Sequence, residues 1–141
     1  MPIIDTNILV HNIREDRLSR IIQARYLLMG AVTPPMISIV TEGEIRGLAL
    51  QFNWSAGKQQ RMQYLLDYLI IVPLPFRGVV EAYAEIDDYS RRIGVSMGKN
   101  DIWIAATAHV TETRLLTTDK DFDHLHTIFL ERDWIDPLLP E

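Results

Sequence analysis

Four acidic residues stand where an apolar segment meets a polar turn or the start of a helical pattern. They are Asp5, Glu44, Asp101 and Asp119. If the segments that carry them lie side by side, four like charges converge, which is stable only when protons are taken up or a cation is bound. Carboxylate oxygens favour Mg²⁺ or Mn²⁺ over zinc. A Mg²⁺ ion held in this way can activate a water and neutralise the leaving oxygen of a phosphodiester, so the pattern predicts phosphodiester hydrolysis.

A capping role is the alternative for any one of these acids taken alone, because Asp and Glu are favoured in first helical turns. The overall charge supports a cation site. The chain has 14 Lys and Arg against 19 Asp and Glu, and setting the four acids aside leaves 15 acids beside 14 bases. The net charge of −5 also means that any affinity for a polyanion must be local.

The composition is that of an ordinary globular domain. Hydrophobic residues make up 48% and charged residues 23% of 141 residues, which predicts one domain over residues 1–141. The chain has no cysteine, so disulfides, thiolate nucleophiles and cysteine-held zinc are excluded. We find no secretion signal and no apolar run of membrane-spanning length, and therefore expect a cytoplasmic protein without membrane insertion.

Apolar and β-branched runs predict the strands that must position the four acids. These strands cover residues 2–4, 36–40, 70–72, 115–118 and 127–130. Helical periodicity predicts helices over residues 16–29, from residue 42, around residues 62–69, and over residues 77–93 and 101–111. The expected N-caps are Asp16, Thr41 and Asn100, and residues 5–7 are expected to form a polar turn. This alternation predicts an α/β fold whose sites lie beyond the carboxyl ends of parallel strands.

Four segments, in order along the chain, resemble the four motifs of the PIN-domain family. They are Ile4-Asp5-Thr6-Asn7, residues 41–47 (TEGEIRG), residues 100–108 (NDIWIAATA) and residues 115–122 (LLTTDKDF). The third segment is the most specific and the Asp-Thr-Asn opening the least. The likeness covers nearly the whole chain and is greatest to the VapC-type toxins of type II toxin–antitoxin pairs.

The resemblance implies a PIN-like three-layer α/β/α sandwich with a central, mostly parallel sheet of four to five strands. It implies a Mg²⁺-dependent endoribonuclease, with Mn²⁺ as a substitute ion, in which the acidic metal-site residues are Asp5, Glu44, Asp101 and Asp119. The polar positions that support the site would be Thr6, Asn7 and Thr117. The implied partners are an RNA substrate, a cognate antitoxin and a second copy of the chain.

The sequence does not decide whether three further acids, Glu42, Asp121 and Asp123, take part in the site. Glu42 is two positions from Glu44, so on a helix only one of them easily faces the site, and we choose Glu44 on the motif match. Asp121 is a candidate fifth ligand, directly or through water, whereas Asp123 fits only weakly.

Other polar and aromatic residues carry weaker signals. The pair His124 and His126 has no third ligand at zinc-site spacing, so structural or surface roles are favoured. The candidate RNA-phosphate contacts are Lys99, Arg46 and Arg14, and Lys99 leads because it is two residues from Asp101. Tryptophans in a domain of this size serve more often as core or interface residues than as base-stacking platforms.

Two other classes of function compete with a nuclease. A catalytically silent RNA- or protein-binding module would keep the fold without needing all four acids. A phosphoryl-transfer protein, such as a receiver domain or an aspartyl-phosphate phosphatase, also places aspartates at strand ends. A phosphatase would need a second Asp where Asn7 stands, and a receiver would need paired acids after its first strand, so neither pattern is present.

Overall fold

Short runs of buried apolar residues form the strands of one parallel sheet. The computed structural model describes residues 1–30 and 32–138. The strands in this part of the chain are β1 (Ile3–Ile4), β2 (Met36–Ser38), β3 (Ile70–Val72), β4 (Leu115–Thr117) and β5 (Arg132–Trp134). Their order is β3-β2-β1-β4-β5, and every neighbouring pair is parallel. Strands β2 and β3 therefore lie on one side of β1, and the later strands β4 and β5 lie on its other side. The strand order reverses between β1 and β4, and in such sheets ligands bind at the carboxyl ends of the strands at this switch point.

Helices cover both faces of this sheet. They are α1 (Thr6–Arg14), α2 (Arg17–Tyr26), α3 (Ile39–Gln51), α4 (Ala56–Tyr68), α5 (Val79–Arg92) and α6 (Lys99–Thr111), followed by a 3₁₀ helix over Lys120–Leu125. None of the helices in the described ranges is both long enough and apolar enough to cross a membrane.

The alternation of side chains along each strand divides the core into two layers. Ile4 and Leu116 face the cluster built with α1 to α4, whereas Ile3 and Leu115 face the cluster built with α5, α6 and the 3₁₀ helix. All four side chains are fully buried. The expected three-layer α/β/α architecture is thus confirmed, with five strands that are all parallel.

The first helix was missing from the sequence prediction. Residues 5–7 were expected to form a turn, but Asp5 is the N-cap of α1 and Thr6 is its first residue. The helix buries Ile8, Leu9 and Ile13 on one face, but its nine residues are fewer than the roughly 11–18 over which helical periodicity is a clear signal.

The structure also corrects several element boundaries. Asp16 is the N-cap of α2, as predicted, and accepts a hydrogen bond from Ser19 N at 3.0 Å. That helix ends at Tyr26 rather than near residue 29, because Leu27 adopts a left-handed conformation.

Two predicted N-caps are wrong. Helix α3 is capped by Ser38 rather than Thr41, so the β-branched Ile39 and Val40 lie in the helix instead of the strand. Helix α6 is capped by Gly98 rather than Asn100, and no side chain caps it.

The predicted last strand is wrong as well. Residues 127–130 form a turn, in which Phe129 N donates to Leu125 O at 3.0 Å, and Thr127 has a positive φ of 68°. The fifth strand is the later segment Arg132–Trp134, which is only half-buried. Its polar residues give an edge strand without the apolar signal that sequence prediction needs.

Candidate functional site

A cleft of about 440 Å³ opens at the carboxyl ends of the central strands. The residues that line it are Asp5, Thr6, Asn7, Glu44, Gly47, Leu48, Gln51, Asp101 and Asp119. The four acids selected from the sequence therefore come together, although they arise from β1, α3, α6 and β4. Asn7, the exposed residue of the first turn of α1, also lies in the wall of the cleft.

Asp5 is the most deeply buried of these acids, with 4% of its surface exposed. One carboxylate oxygen accepts a hydrogen bond from Thr6 N at 2.7 Å, and the other accepts one from Thr117 Oγ1 at 2.8 Å. Burial raises the pKa of Asp5, the two hydrogen bonds oppose that shift, and the charges of Asp119 and Glu44 add to it, so the pKa is about 6.

Thr117 links the acids of the two central strands. Its hydroxyl donates to Asp5 on β1 and accepts a 2.9 Å hydrogen bond from Asp119 N, directly after β4. The side chain is fully buried. Because strand β4 is hydrogen-bonded to β1, this hydroxyl fixes the position of Asp119 relative to Asp5.

Thr6 connects α1 to the acid of α3. Its hydroxyl donates to Glu44 Oε1 at 2.7 Å and lies 3.3 Å from Thr41 Oγ1. Thr41 is fully buried and lies one helical turn before Glu44 on the same side of α3.

The two glutamates between which the sequence had to choose, Glu42 and Glu44, lie on different sides of α3. Glu44 shares the cleft face with Leu48 and Gln51, at helical spacing. Glu42 instead pairs with Arg46 Nε at 2.8 Å, on an exposed part of the same helix. Only Glu44 of this pair lines the cleft.

Three aspartates form the tightest cluster of acids in the described part of the chain. Asp101, Asp119 and Asp121 each offer one carboxylate oxygen, and these three atoms lie within 4.8 Å of one another. Asp121 N donates to Asp119 Oδ1 at 3.0 Å, which holds the start of the 3₁₀ helix against the end of β4. Asp121, a candidate fifth acid in the sequence, is therefore adjacent to two of the main four, at the exposed edge of the cleft.

The electrostatics of this cluster reflect uncompensated negative charge. Burial raises the pKa of Asp101, and the charges of Asp5, Asp119, Asp121 and Glu44 raise it further, to about 7. Partial burial and the charge of Asp119 also raise the pKa of Asp121. The four negative charges that raise the pKa of Asp101 are charges that a bound divalent cation would neutralise.

The donor set fits a hard divalent cation. All the charged donors of the cluster are carboxylate oxygens, and the supporting groups are hydroxyls and main-chain amides. Oxygen-only ligands suit Mg²⁺ or Mn²⁺ rather than zinc.

The residues with weaker signals lie outside this cleft. Asp123 is exposed and pairs with Arg132 Nε at 2.9 Å. His124 Nε2 lies 2.9 Å from Ser90 Oγ, whereas His126 Nδ1 accepts a hydrogen bond from Arg132 N at 3.0 Å. The two imidazoles thus have separate structural partners, and burial lowers the pKa of His124 against the opposing charges of the acids beside it.

The three candidate RNA-binding bases differ in their surroundings. Lys99 is exposed at the first position of α6, two residues from Asp101. Arg46 donates to Glu42 and to Gln63 on α4, away from the cleft face of α3. Arg14 is exposed in the last turn of α1.

The tryptophans have contacts within the protein. Trp103 packs against Tyr83, with ring centroids 4.2 Å apart. Trp54 is buried, and Trp134 Nε1 donates to Thr118 O at 3.0 Å.

Sequence reasoning missed four residues near the acids. They are Thr41, Gly47, Leu48 and Gln51. The signal was present, because these residues follow the helical spacing of Glu44 along α3. The spacing alone does not show that this face of α3 is the one that turns towards β1, so these residues could not be assigned to the cleft from the sequence.

The fold and the cleft together define an α/β domain with a cluster of acidic residues at the switch point of a parallel sheet. The family model of the PIN domain matches residues 3–127. The chain belongs to the PIN domain family. No curated protein sequence matches the chain at a significant level.

Solved structures of toxin–antitoxin proteins share this fold. VapBC2 from Rickettsia felis, bound to a DNA fragment from their promoter, aligns with a TM-score of 0.76 and 22% identity over 92% of this chain and 96% of that one. VapBC-1 from nontypeable Haemophilus influenzae aligns with a TM-score of 0.74 and 21% identity over 94% and 96% of the two chains. VapBC-5 from Mycobacterium tuberculosis aligns with a TM-score of 0.69 and 20% identity over 95% of this chain and 98% of that one. At these identities the likeness establishes the fold.

Proposed function

We propose that this chain is a Mg²⁺-dependent endoribonuclease and the toxin of a type II toxin–antitoxin pair. The observation that carries the proposal is the convergence of four acids from four separate elements in one cleft of a PIN domain. A helix cap explains one such acid at a time, but it does not explain why the pKa of Asp101 is raised by the other acids. The repulsion between these carboxylates costs stability, and a bound cation would offset it directly.

The residues that would hold the ion are the tight aspartate cluster and its neighbours in the cleft. They are Asp101, Asp119 and Asp121, with Asp5 and Glu44. When bound, Mg²⁺ or Mn²⁺ would supply the positive charge that activates a water and stabilises the leaving oxygen of a phosphodiester.

The protein's own part is to orient its carboxylates and its substrate. Thr117 fixes the rotation of Asp5 by donating to one of its oxygens, and Thr6 does the same for Glu44. Lys99 is the base that we assign to the RNA phosphates beside the cleft, since it is exposed and close in sequence to Asp101. Arg14 is a more distant candidate, and Arg46 would have to leave Glu42 to take part.

The partners follow from the same similarity. The solved structures that share the fold are VapBC proteins, so we propose that a cognate antitoxin binds this chain. We further propose that residues 1–141 form one nuclease domain, that it acts in the cytoplasm, and that two copies associate.

The direct test is cleavage of end-labelled total RNA by the purified protein in Mg²⁺. We expect discrete products that are lost with EDTA and lost in Asp101→Asn. The matched control is Asp88→Asn, which neutralises an exposed aspartate paired with Arg92 on α5. Cleavage that persists in EDTA or in Asp101→Asn would contradict the proposed mechanism. Metal binding without cleavage of any RNA in the pool, including ribosomal and transfer RNA, would favour a silent binding module.

A further inference from the structure

A buried serine on α5 connects the two chain segments that carry the tight aspartate cluster. Ser90 is 1% exposed, and its neighbours Tyr89 and Met97 pack against the apolar layer built with α5 and α6. Its hydroxyl lies 2.9 Å from His124 Nε2 and donates to Met97 Sδ at 3.4 Å. Its main-chain carbonyl accepts a hydrogen bond from Val95 N at 2.8 Å.

One arm of this connection leads to Asp101. Met97 directly precedes Gly98, the N-cap of α6, and Asp101 is in the first turn of that helix. The carboxylate lies against this loop, since a Cβ built on Gly98 would be 3.9 Å from Asp101 Oδ2. A shift of Met97 therefore moves the start of α6 and its carboxylate.

The other arm leads to Asp121. His124 and Asp121 are three positions apart in the 3₁₀ helix, so their side chains project from the same edge. The His124 ring also lies parallel to Tyr89, with centroids 6.4 Å apart and an interplanar angle of 2°. The hydrogen bond and this stacking fasten the 3₁₀ helix to α5.

Packing alone does not account for the hydroxyl. An alanine would fill nearly the same space in the apolar layer, and burying a hydroxyl costs free energy unless it is hydrogen-bonded. The hydroxyl instead contacts two segments at once, the loop before α6 through Met97 and the 3₁₀ helix through His124. It therefore constrains the position of one segment relative to the other.

We propose that Ser90 is a positioning residue for the metal centre, whose hydroxyl holds Met97 and His124 together and thereby sets the spacing of Asp101 and Asp121. The inference rests on the proposed function, because it assumes that these acids bind a divalent cation. It adds a residue that lies outside the cleft and outside the four motif segments of the sequence.

The test is the affinity of the purified protein for Mn²⁺ in the absence of RNA, measured by electron paramagnetic resonance of the free ion. In Ser90→Ala we expect the dissociation constant to rise about tenfold, at the lower end of the range for residues that orient metal ligands. Cleavage at saturating Mn²⁺ should return to nearly the unaltered rate, because Ser90 touches neither metal nor substrate.

The matched control is Ser19→Ala. Ser19 is also a buried helical serine, and its hydroxyl donates to Asp16 O at 2.7 Å, but it lies on α2, away from the cleft. This variant should lose thermal stability without a change in Mn²⁺ affinity. A role of Ser90 in stability alone would make the two variants behave alike.

A second variant keeps the test decisive if Ser90→Ala fails to fold. His124→Phe retains an aromatic ring against Tyr89 but removes the nitrogen that contacts Ser90, and it should weaken Mn²⁺ binding to a similar extent. In the double variant the two effects should not multiply, because both remove the same contact.

The outcomes separate this inference from the proposed function. Unchanged Mn²⁺ affinity in both variants, beside normal binding by the unaltered protein, would overturn the role of Ser90 alone. Mn²⁺ binding without RNA cleavage would overturn the nuclease and leave the comparison of affinities valid. Absence of Mn²⁺ binding by the unaltered protein would overturn both.

Discussion

Neutralising Asp101 should stabilise the metal-free protein while it removes the proposed activity. The pKa of Asp101 rises from its ordinary 3.8 to about 7, so keeping this group ionised in the folded state opposes folding. At about 1.4 kcal/mol for each pKa unit, a rise of about 3 units sets a ceiling of about 4 kcal/mol. Because the side chain is only half-buried, solvent screening lowers this to about 2 kcal/mol.

Asp101→Asn also gives up a favourable interaction. The residue lies in the first turn of α6, where a negative charge contributes about 0.5 kcal/mol through its interaction with the helix dipole. The net gain is then about 1.5 kcal/mol. For a chain of this length, about 3 °C per kcal/mol gives a rise of about 4–5 °C in the midpoint of thermal unfolding.

The assay is thermal unfolding in EDTA at pH 7.5, with Asp88→Asn as the control that should change little. The sign of the pH dependence follows from the raised pKa. Asp101 contributes stability below pH 4, where it is protonated in both states, and loses that contribution as the pH rises towards 7. The advantage of Asp101→Asn should therefore be small at pH 5 and full at pH 7.5. A midpoint equal to or below that of the unaltered protein at pH 7.5 would refute the charge argument.

Three further changes test other parts of the fold and site. Thr6→Val removes the donor to Glu44 Oε1, and isothermal titration should show about tenfold weaker Mn²⁺ binding with unchanged circular dichroism; unchanged affinity would exclude Thr6 from orienting Glu44. Asp16→Ala removes the cap of α2 and should cost about 1 kcal/mol in urea unfolding at pH 7. Burial raises the pKa of Asp16, but hydrogen bonds from His11 and Ser19 and nearby positive charge lower it overall. The cost of Asp16→Ala should therefore shrink as the pH falls below about 4 and Asp16 is protonated. A cost that does not change with pH would contradict the role of the ionised cap. Phe122→Ala empties a fully buried position and should cost about 3–5 kcal/mol in the same assay, whereas a cost below about 1 kcal/mol would place this ring outside the core.

The parallel sheet could be predicted because its central strands are apolar runs that end at polar residues. Strands β1 and β4 are fully buried, so nearly every position is isoleucine or leucine and the pattern is strong. The edge strand β5 is half-buried, and its Arg-Asp-Trp sequence resembles a loop, so the run at residues 127–130 was chosen instead. Burial decides which strands leave a signal.

Three acids of the cleft, Asp5, Asp101 and Asp119, could be predicted because each lies where an element begins or ends. Glu44 lies in the second turn of α3 rather than in the first turn that the sequence predicted, and it was identified by its motif. The contacts within the cleft could not be predicted, since they join residues distant in sequence, such as Thr6 with Glu44 and Thr117 with Asp5. The same reason hid the part played by Asp121. Its proximity to Asp101 depends on how the 3₁₀ helix packs against the end of β4.

The hydrogen bond between Thr117 and Asp5 spans 112 residues of chain. Strand β1, which the ribosome makes before β4, is paired with it on one side. A growing chain that has not yet released residues 115–119 has Asp5, Glu44 and Asp101 but no Asp119 and no strand β4 beside β1. Because the cleft needs Asp119, it assembles only after β4 has been made, and synthesis interrupted before that point yields chains that lack it.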